Sequence, residues 1–372
     1  MYSVFVAGKA VWSNMSRYVI DKTKLIENIE YIKKKAGVPV IGVVKGNGYG
    51  FGIKEFTTVL KECGINFFAV TEVTDIPVLK EILNDDDEIL IMRSTCIADE
   101  AKLIAESGCI ATIGSEEACK VMEKVAGELD ITVKCHLKID TGMGRYGFMP
   151  SEITKAIECY KQPHLEFTGI YTHFSSAFRN AELTKAQLTV FKDCISQIEK
   201  AGFKPGIAHC ANSPALLNVE GVSMDAVRIG SAFTGRVITR AKTPLHRLGS
   251  LEAEVVDIKT VPAGYSIGYN GLFKTQRETK IAIVPIGHYD GFGLQKERET
   301  ADLRYVLSAA KQYVKKKQMY MRINGRMYHV IGEIGLSHTA VDVTGSDVKA
   351  GDTASVDISP LMVNPRLQRI YK

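Results

Sequence analysis

The sequence predicts an α/β protein: a (β/α)8 barrel of the TIM type followed by a second, mostly β domain. Two observations carry the prediction. Between residue 24 and about residue 230, short apolar runs alternate with amphipathic stretches of helical period, as repeated βα units on a parallel sheet do, and the runs number eight, enough to close a barrel. After Arg236 the texture changes to strand-like segments joined by turns rich in Gly and Asn.

The eight runs are 40–44, 66–70, 88–92, 109–113, 132–139, 165–171, 206–209 and 225–228. Helical period precedes the first at 24–35 and recurs at 76–83, 99–106, 116–125 and 185–200, with Pro77 tolerable in a first turn. Beyond the barrel, 251–262 and 280–285 read as strands. The segments 319–323 and 326–331 read as hairpin arms, because Asn324-Gly325 supplies the positive φ angles of a tight two-residue turn. The expected division is an N-terminal segment 1–17 that could pack with the β domain, a barrel over 18–240, and a β domain over 241–372 with a helical insertion near 300–317.

At 372 residues the chain exceeds what a single core usually holds, which fits two domains. The net charge of +5 is modest, and Lys33-Lys34-Lys35 and Lys315-Lys316-Lys317 end helix-like segments where a solvated face and the helix dipole account for them. Nucleic-acid binding is not indicated. No apolar stretch approaches the roughly 18 to 20 residues that span a bilayer, and the first residues lack the pattern of a secretion signal, so the chain reads as cytoplasmic. Its eight cysteines show no CxxC pair and no metal-ligand spacing; free thiols and no metal are expected.

Lys45 is the residue that points to chemistry. It is the only cation in Pro39-Val40-Ile41-Gly42-Val43-Val44-Lys45, and Gly46-Asn47-Gly48-Tyr49-Gly50 follows at once. Desolvation at such a position favours the free amine, the form that makes a Schiff base, although a strand-end lysine can also simply reach water. Barrel active sites lie at the C-terminal ends of the strands. At those ends stand Lys138, Asp140 and Arg145 after run five, His173 after run six, Asn212 and Ser213 after run seven, and Arg228, Gly230 and Ser231 at run eight. Each alone has a plainer alternative; Asn212-Ser213 taken alone, for instance, reads as a helix cap before it reads as a binding site. Together, facing an amine, they suit a phosphorylated aldehyde cofactor, with Ser213 and the amides of Gly230 and Ser231 donating to a phosphate.

Val43-Val44-Lys45-Gly46-Asn47-Gly48-Tyr49-Gly50-Phe51-Gly52, Lys138-Ile139-Asp140-Thr141-Gly142-Met143-Gly144-Arg145, Thr172-His173-Phe174, Ala211-Asn212-Ser213 and Val227-Arg228-Ile229-Gly230 resemble, in order, the successive motifs of the alanine racemase family. The resemblance continues through Gly264-Tyr265-Ser266-Ile267-Gly268-Tyr269-Asn270 and the segment 283–291, and is poor from about residue 293 onward. It implies a pyridoxal 5'-phosphate enzyme on a barrel plus β domain. By that resemblance Lys45 would hold the cofactor as an imine and Tyr49, Ser213, Gly230 and Ser231 its phosphate, and Asn212 would also bind the cofactor. His173 would pack on the pyridine ring and Arg228 would face the ring nitrogen. A guanidinium does not surrender its proton, so the nitrogen stays unprotonated and the ring is a weaker electron sink, which suits racemisation over transamination.

Inverting an α-carbon needs proton exchange on both faces, and one lysine serves one. The resemblance implies a tyrosine from the other subunit as second base, placed at Tyr269 with Tyr265 as the nearby decoy, and hence a symmetric homodimer. His173 with Arg228 behind it would acidify that phenol. Arg145 would bind the substrate carboxylate, aided by Lys138 at the position of a carbamylated lysine, and the amide of Leu336 could add a backbone contact. Three positions depart from the family pattern: His288 and Met362 stand where tyrosines are expected, and Gly335-Leu336-Ser337 replaces a Cys-Met-Asp run. Alanine is the first substrate expected, with serine or another larger amino acid as the alternative. A non-catalytic pyridoxal-phosphate carrier on the same barrel normally lacks a β domain, and a decarboxylase would need a different carboxylate environment.

Overall fold

The computed structural model describes residues 5–6, 9–10, 16–271, 273–294 and 319–372; the helical insertion expected near 300–317 lies outside the described residues. Contacts divide the chain into two units, one spanning Asp21–Leu248 and the other Gly249–Lys372 with the N-terminal strand Arg17–Ile20.

In the first unit the barrel strands 1 to 8 are Val40–Val43, Phe67–Val70, Glu88–Ile91, Ala111–Ile113, Val133–Lys138, Leu165–Tyr171, Ile207–His209 and Val227–Ile229. They form two parallel ladders, 8-1-2-3 and 4-5-6-7, joined by the bridges Leu90 to Ile110 and His209 to Ala226, so the barrel closes. Its interior holds Ile41, Val43, Ala69, Leu90, Ile110 and Ala226. Each large aliphatic side chain withdrawn in this way contributes roughly 1.5 to 3 kcal/mol. The helices around it start where capping chemistry allows: Asp21 accepts from the Lys24 amide for Lys22–Ala36, Ser115 from Ala118 for Glu116–Glu128, and Asn180 from Leu183 for Ala181–Lys200.

Three helices were not among those expected: Ile53–Glu62, Ile153–Cys159 and Ser213–Asn218. The first is hidden in the sequence by the glycines before it. Gly46, Asn47, Gly48 and Tyr49 have φ of 62°, 54°, 60° and 55°, a left-handed turn directly after Lys45. Glycine and asparagine enter this region at low cost, so the strain of roughly 1 to 2 kcal/mol falls on Tyr49. Asn47 then caps the helix, its Oδ1 accepting from the Ile53 amide at 2.9 Å.

The second unit is built on a sheet in the order Asp257–Val261, Thr279–Val284, Thr339–Asp342, Arg326–Ile331, Tyr320–Ile323, Thr353–Val356, Ser250–Glu254, Arg17–Ile20, Arg369–Tyr371. The hairpin turns at Asn324 and Gly325, whose φ values are 47° and 82°. The single strand expected over 251–262 is two strands. Ser250–Glu254 pairs with Thr353–Val356 and Asp257–Val261 with Thr279–Val284, and the chain changes partner at Val255 and Val256, whose amides donate to Asp352 and Ile283. All eight cysteines are free; Cys96 is exposed, Cys63 half-buried and the other six buried. No helix among the described residues is long and apolar enough to cross a membrane.

Candidate active site

Barrel strands place their last residues at one rim, and the polar side chains expected there converge on a cavity of about 270 Å³ lined by Lys45, Lys138, Arg145, Tyr171, His173 and Arg228, with Thr71, Glu72, Met92, Arg93 and Tyr146. A larger cavity, about 790 Å³, opens at the N-terminal ends of the strands among Pro39, Asn66 and Glu88. It gathers no comparable set of convergent reactive groups, so the chemistry selects the smaller one.

Lys45 is half-buried, and its amine is held below the usual lysine range by loss of water first, then by the positive charges of Arg145 and Arg228. Lys138 is buried beside Tyr146 and Tyr171, its Nζ 5.2 and 5.0 Å from their ring centres. Burial, then Arg228 and Arg145, pulls it down to about 7. Lys138 is therefore poised to shed a proton near neutrality, and Lys45 gives up its proton more readily than a free lysine does.

Arg145 is exposed on a loop organised by Asp140, whose carboxylate accepts from the amides of Gly142, Met143 and Arg145 at 2.9, 2.7 and 2.9 Å. Burial alone would raise the Asp140 pKa, but these amide bonds outweigh it and hold it below the usual range.

Arg228 is 2% exposed with no carboxylate among its partners. Its Nη1 donates to Nδ1 and O of His209 at 2.7 and 2.8 Å, and its Nη2 to the Thr172 carbonyl at 2.6 Å, with His173 Nδ1 at 3.5 Å. The Nε–H has no acceptor among the described residues. Burial, then Arg228, pushes His173 well below the ordinary histidine value, so its ring is neutral.

Ser213 is buried, its Oγ accepting from the amides of Gly230 and Ala232 at 3.2 Å each. The Gly230 amide, expected to donate to a phosphate, is thus engaged within the protein, while the Ser231 amide has no acceptor among the described residues. Tyr49 lies against Gly230, and burial pushes its phenol up to about 12, so the hydroxyl stays a donor. Asn212 serves as a helix cap, its Oδ1 accepting from Ala215 at 3.0 Å and its Nδ2 donating to the Phe174 carbonyl at 3.2 Å. That leaves it orienting the loop.

Tyr269, Tyr265 and Leu336 belong to the other unit and are 70%, 46% and 69% exposed. His288 Nδ1 donates to the Phe292 carbonyl at 2.9 Å, tying its ring to its own turn.

Sequence reasoning missed Tyr171, His209 and the Ala232 amide. Tyr171 and His209 end strands 6 and 7, a placement that could have flagged them; the Ala232 amide carries no signal in the sequence.

The group best matched by these residues is a phosphorylated pyridine aldehyde: an amine with a lowered pKa, a hydroxyl and a free amide for a phosphate, and on the buried Arg228 an Nε–H with no acceptor among the described residues, left for a ring acceptor. The comparisons agree. The model of the alanine racemase N-terminal domain matches residues 20–237 and that of the C-terminal domain residues 248–359. The alanine racemase of Chlorobaculum tepidum is 30% identical over 349 residues, 92% of this chain and 86% of that protein. Among solved structures, the alanine racemase of Clostridium difficile 630 superposes with a TM-score of 0.85 at 24% identity, covering 97% of this chain and 96% of that one. That of Bartonella henselae, with covalently bound pyridoxal phosphate, does so with a TM-score of 0.78 at 21% identity, over 96% and 98%. The chain belongs to the alanine racemase family.

Proposed function

We propose that this protein interconverts L- and D-alanine with pyridoxal 5'-phosphate as cofactor, through proton exchange on both faces of the α-carbon. The observation that carries the proposal is the convergence of Lys45 with Arg145 and Arg228 at one barrel rim, each placed by a different strand end. When bound, the cofactor supplies the electron sink that acidifies the α-carbon–hydrogen bond.

Lys45 would hold the cofactor through its Nζ, and Tyr49, Ser213 and the Ser231 amide would hold the phosphate. Arg228 would present its Nε–H to the ring nitrogen, and its guanidinium keeps its proton there. His173, neutral and half-buried, would offer its ring as a packing surface. Arg145 would bind the substrate carboxylate by two parallel N–H bonds, which fixes the amino acid and excludes water from one side. The Lys45 amine, once free, exchanges the α-proton on one face. On the other face the hydroxyl of Tyr269 from a second copy of the chain does so, which makes a homodimer the active species. Lys138 supports Arg145, and a neutral amine at that position is the form that can be carbamylated.

His288 is tied to its own turn where a free phenol was expected, which favours a pocket that also accepts serine or a larger side chain. The cytoplasm is the compartment we assign, since D-amino acid production there fits a chain of free thiols.

The test is the visible spectrum of the purified protein supplied with pyridoxal phosphate, followed by incubation with single enantiomers of alanine, serine, lysine and ornithine in deuterium oxide. Yellow colour lost on borohydride, α-deuterium incorporation and loss of optical rotation fastest with alanine are expected. Release of carbon dioxide instead would mark a decarboxylase, and colour without exchange a carrier.

A further inference from the structure

Arg228 is aimed by more than its immediate neighbours. His136 lies on strand 5 two residues before Lys138, 1% exposed, in the barrel interior. The pairing of strands 5 and 6 slips at this point: Cys135 faces Phe167 and His136 faces Gly169, so Thr168 is passed over as a bulge. The slip sets a glycine against the ring. A Cβ at 169 would fall 2.6 Å from His136 Nε2, so any side chain there would evict the imidazole.

From this niche His136 Nδ1 stands 2.9 Å from His209 Nε2, and His209 Nδ1 stands 2.7 Å from Arg228 Nη1. The His209 ring is stacked on Tyr171 at 5.0 Å and 7°, which fixes its plane. The guanidinium can only donate. His209 Nδ1 must therefore be the bare nitrogen, its proton sits on Nε2, and that N–H must donate to His136 Nδ1, which places the His136 proton on Nε2 in turn. Burial and the Arg228 charge keep both rings neutral, as the chain requires.

We propose that His136 is a positioning residue for Arg228: by accepting from His209 Nε2–H it locks His209 in the tautomer whose Nδ1 lone pair aims the guanidinium. Without that acceptor, His209 relieves a buried N–H by moving its proton to Nδ1 or by turning its ring, and either sets a donor or nothing against Arg228. The catalytic consequence rests on Arg228 facing the cofactor as proposed above; the tautomer chain does not.

The experiment is nitrogen-15 histidine NMR on the full chain loaded with pyridoxal phosphate, with steady-state racemisation measured in parallel. Wild type is expected to show His209 and His136 each protonated on Nε2 alone. In His136→Phe the His209 signal is expected to shift to the Nδ1–H tautomer or a mixture, with kcat falling about ten- to a hundredfold, the cost of a misplaced group, and KM moving less. In His136→Gln the side-chain oxygen can accept from His209, and the wild-type His209 signature and most of kcat are expected to return. A wild-type His209 protonated on Nδ1 or on both nitrogens overturns the inference, as does a folded His136→Phe with unchanged His209. If the Phe variant does not fold, the wild-type and Gln spectra decide. Protein that takes up no cofactor would overturn the functional reading, and the His209 signature of the unloaded chain would still decide the tautomer chain.

Discussion

Tyr49 presses on Gly230 so closely that a Cβ at 230 would fall 2.4 Å from the phenol oxygen and 2.6 Å from Cζ. The tyrosine is held in place by the left-handed turn that follows Lys45, so it has little freedom to retreat. The one-carbon substitution Gly230→Ala should displace the ring and weaken pyridoxal phosphate binding by at least about tenfold, the equivalent of roughly 1.4 kcal/mol. A fluorescence titration of the unloaded protein with cofactor measures this, and unchanged affinity would show that Tyr49 plays no part in holding it.

Lys138 links the site to stability. Its amine titrates near about 7 in the folded protein against 10.5 as a free side chain, chiefly because it is buried. Between those values the unfolded chain binds more protons, so stability rises with pH across that window; below about 7 the burial penalty is fully present. Lys138→Met should remove a penalty of a few kcal/mol, about what a shift of this size implies, and flatten the pH dependence of the unloaded protein. Denaturant midpoints taken along that window check it; parallel wild-type and variant curves would argue for an amine that is not desolvated.

Tyr269 and Tyr265 provide an internal control for the second base. Tyr269→Phe should slow α-deuterium exchange from one enantiomer by about a hundredfold or more, the usual worth of a general acid–base group, while Tyr265→Phe stays within severalfold. Exchange followed separately from L- and D-alanine distinguishes the two faces. Equal, small losses from both variants would remove Tyr269 from the role.

Asn212 is a cap in the structure, and Asn212→Ala should lower stability by about 0.5 to 2 kcal/mol. Cofactor affinity should change little, since both ends of its amide are engaged by the protein. Thermal unfolding and cofactor titration of one preparation separate the two effects. A large affinity loss without destabilisation would restore Asn212 to the cofactor.

The barrel was legible because its strands are written as compact apolar runs, and a buried parallel strand needs little else to be recognised. The same logic gave the rim: Lys45, Arg145, His173 and Arg228 each follow or end a run, and a closed barrel brings run ends together whatever their spacing. Local chemistry also announced the Asn324-Gly325 turn. The helix Ile53–Glu62 escaped because its start is an Asn47 side chain inside a glycine-rich stretch, which by composition reads as loop.

The sequence by itself therefore determined the eight barrel strands and which side chains share a rim, because apolar runs and strand-end placement are local properties. Tertiary structure alone decided how those groups are used. Whether Asn212 caps or binds, whether the Gly230 amide is free, and that His136 reaches Arg228 through a histidine 73 positions away all depend on hydrogen bonds across the closed barrel. The last also needs a one-residue bulge at Thr168, beside Gly169 and opposite the step from Cys135 to His136. Such bonds are set by register and close approach between distant segments, which no local pattern of residues encodes.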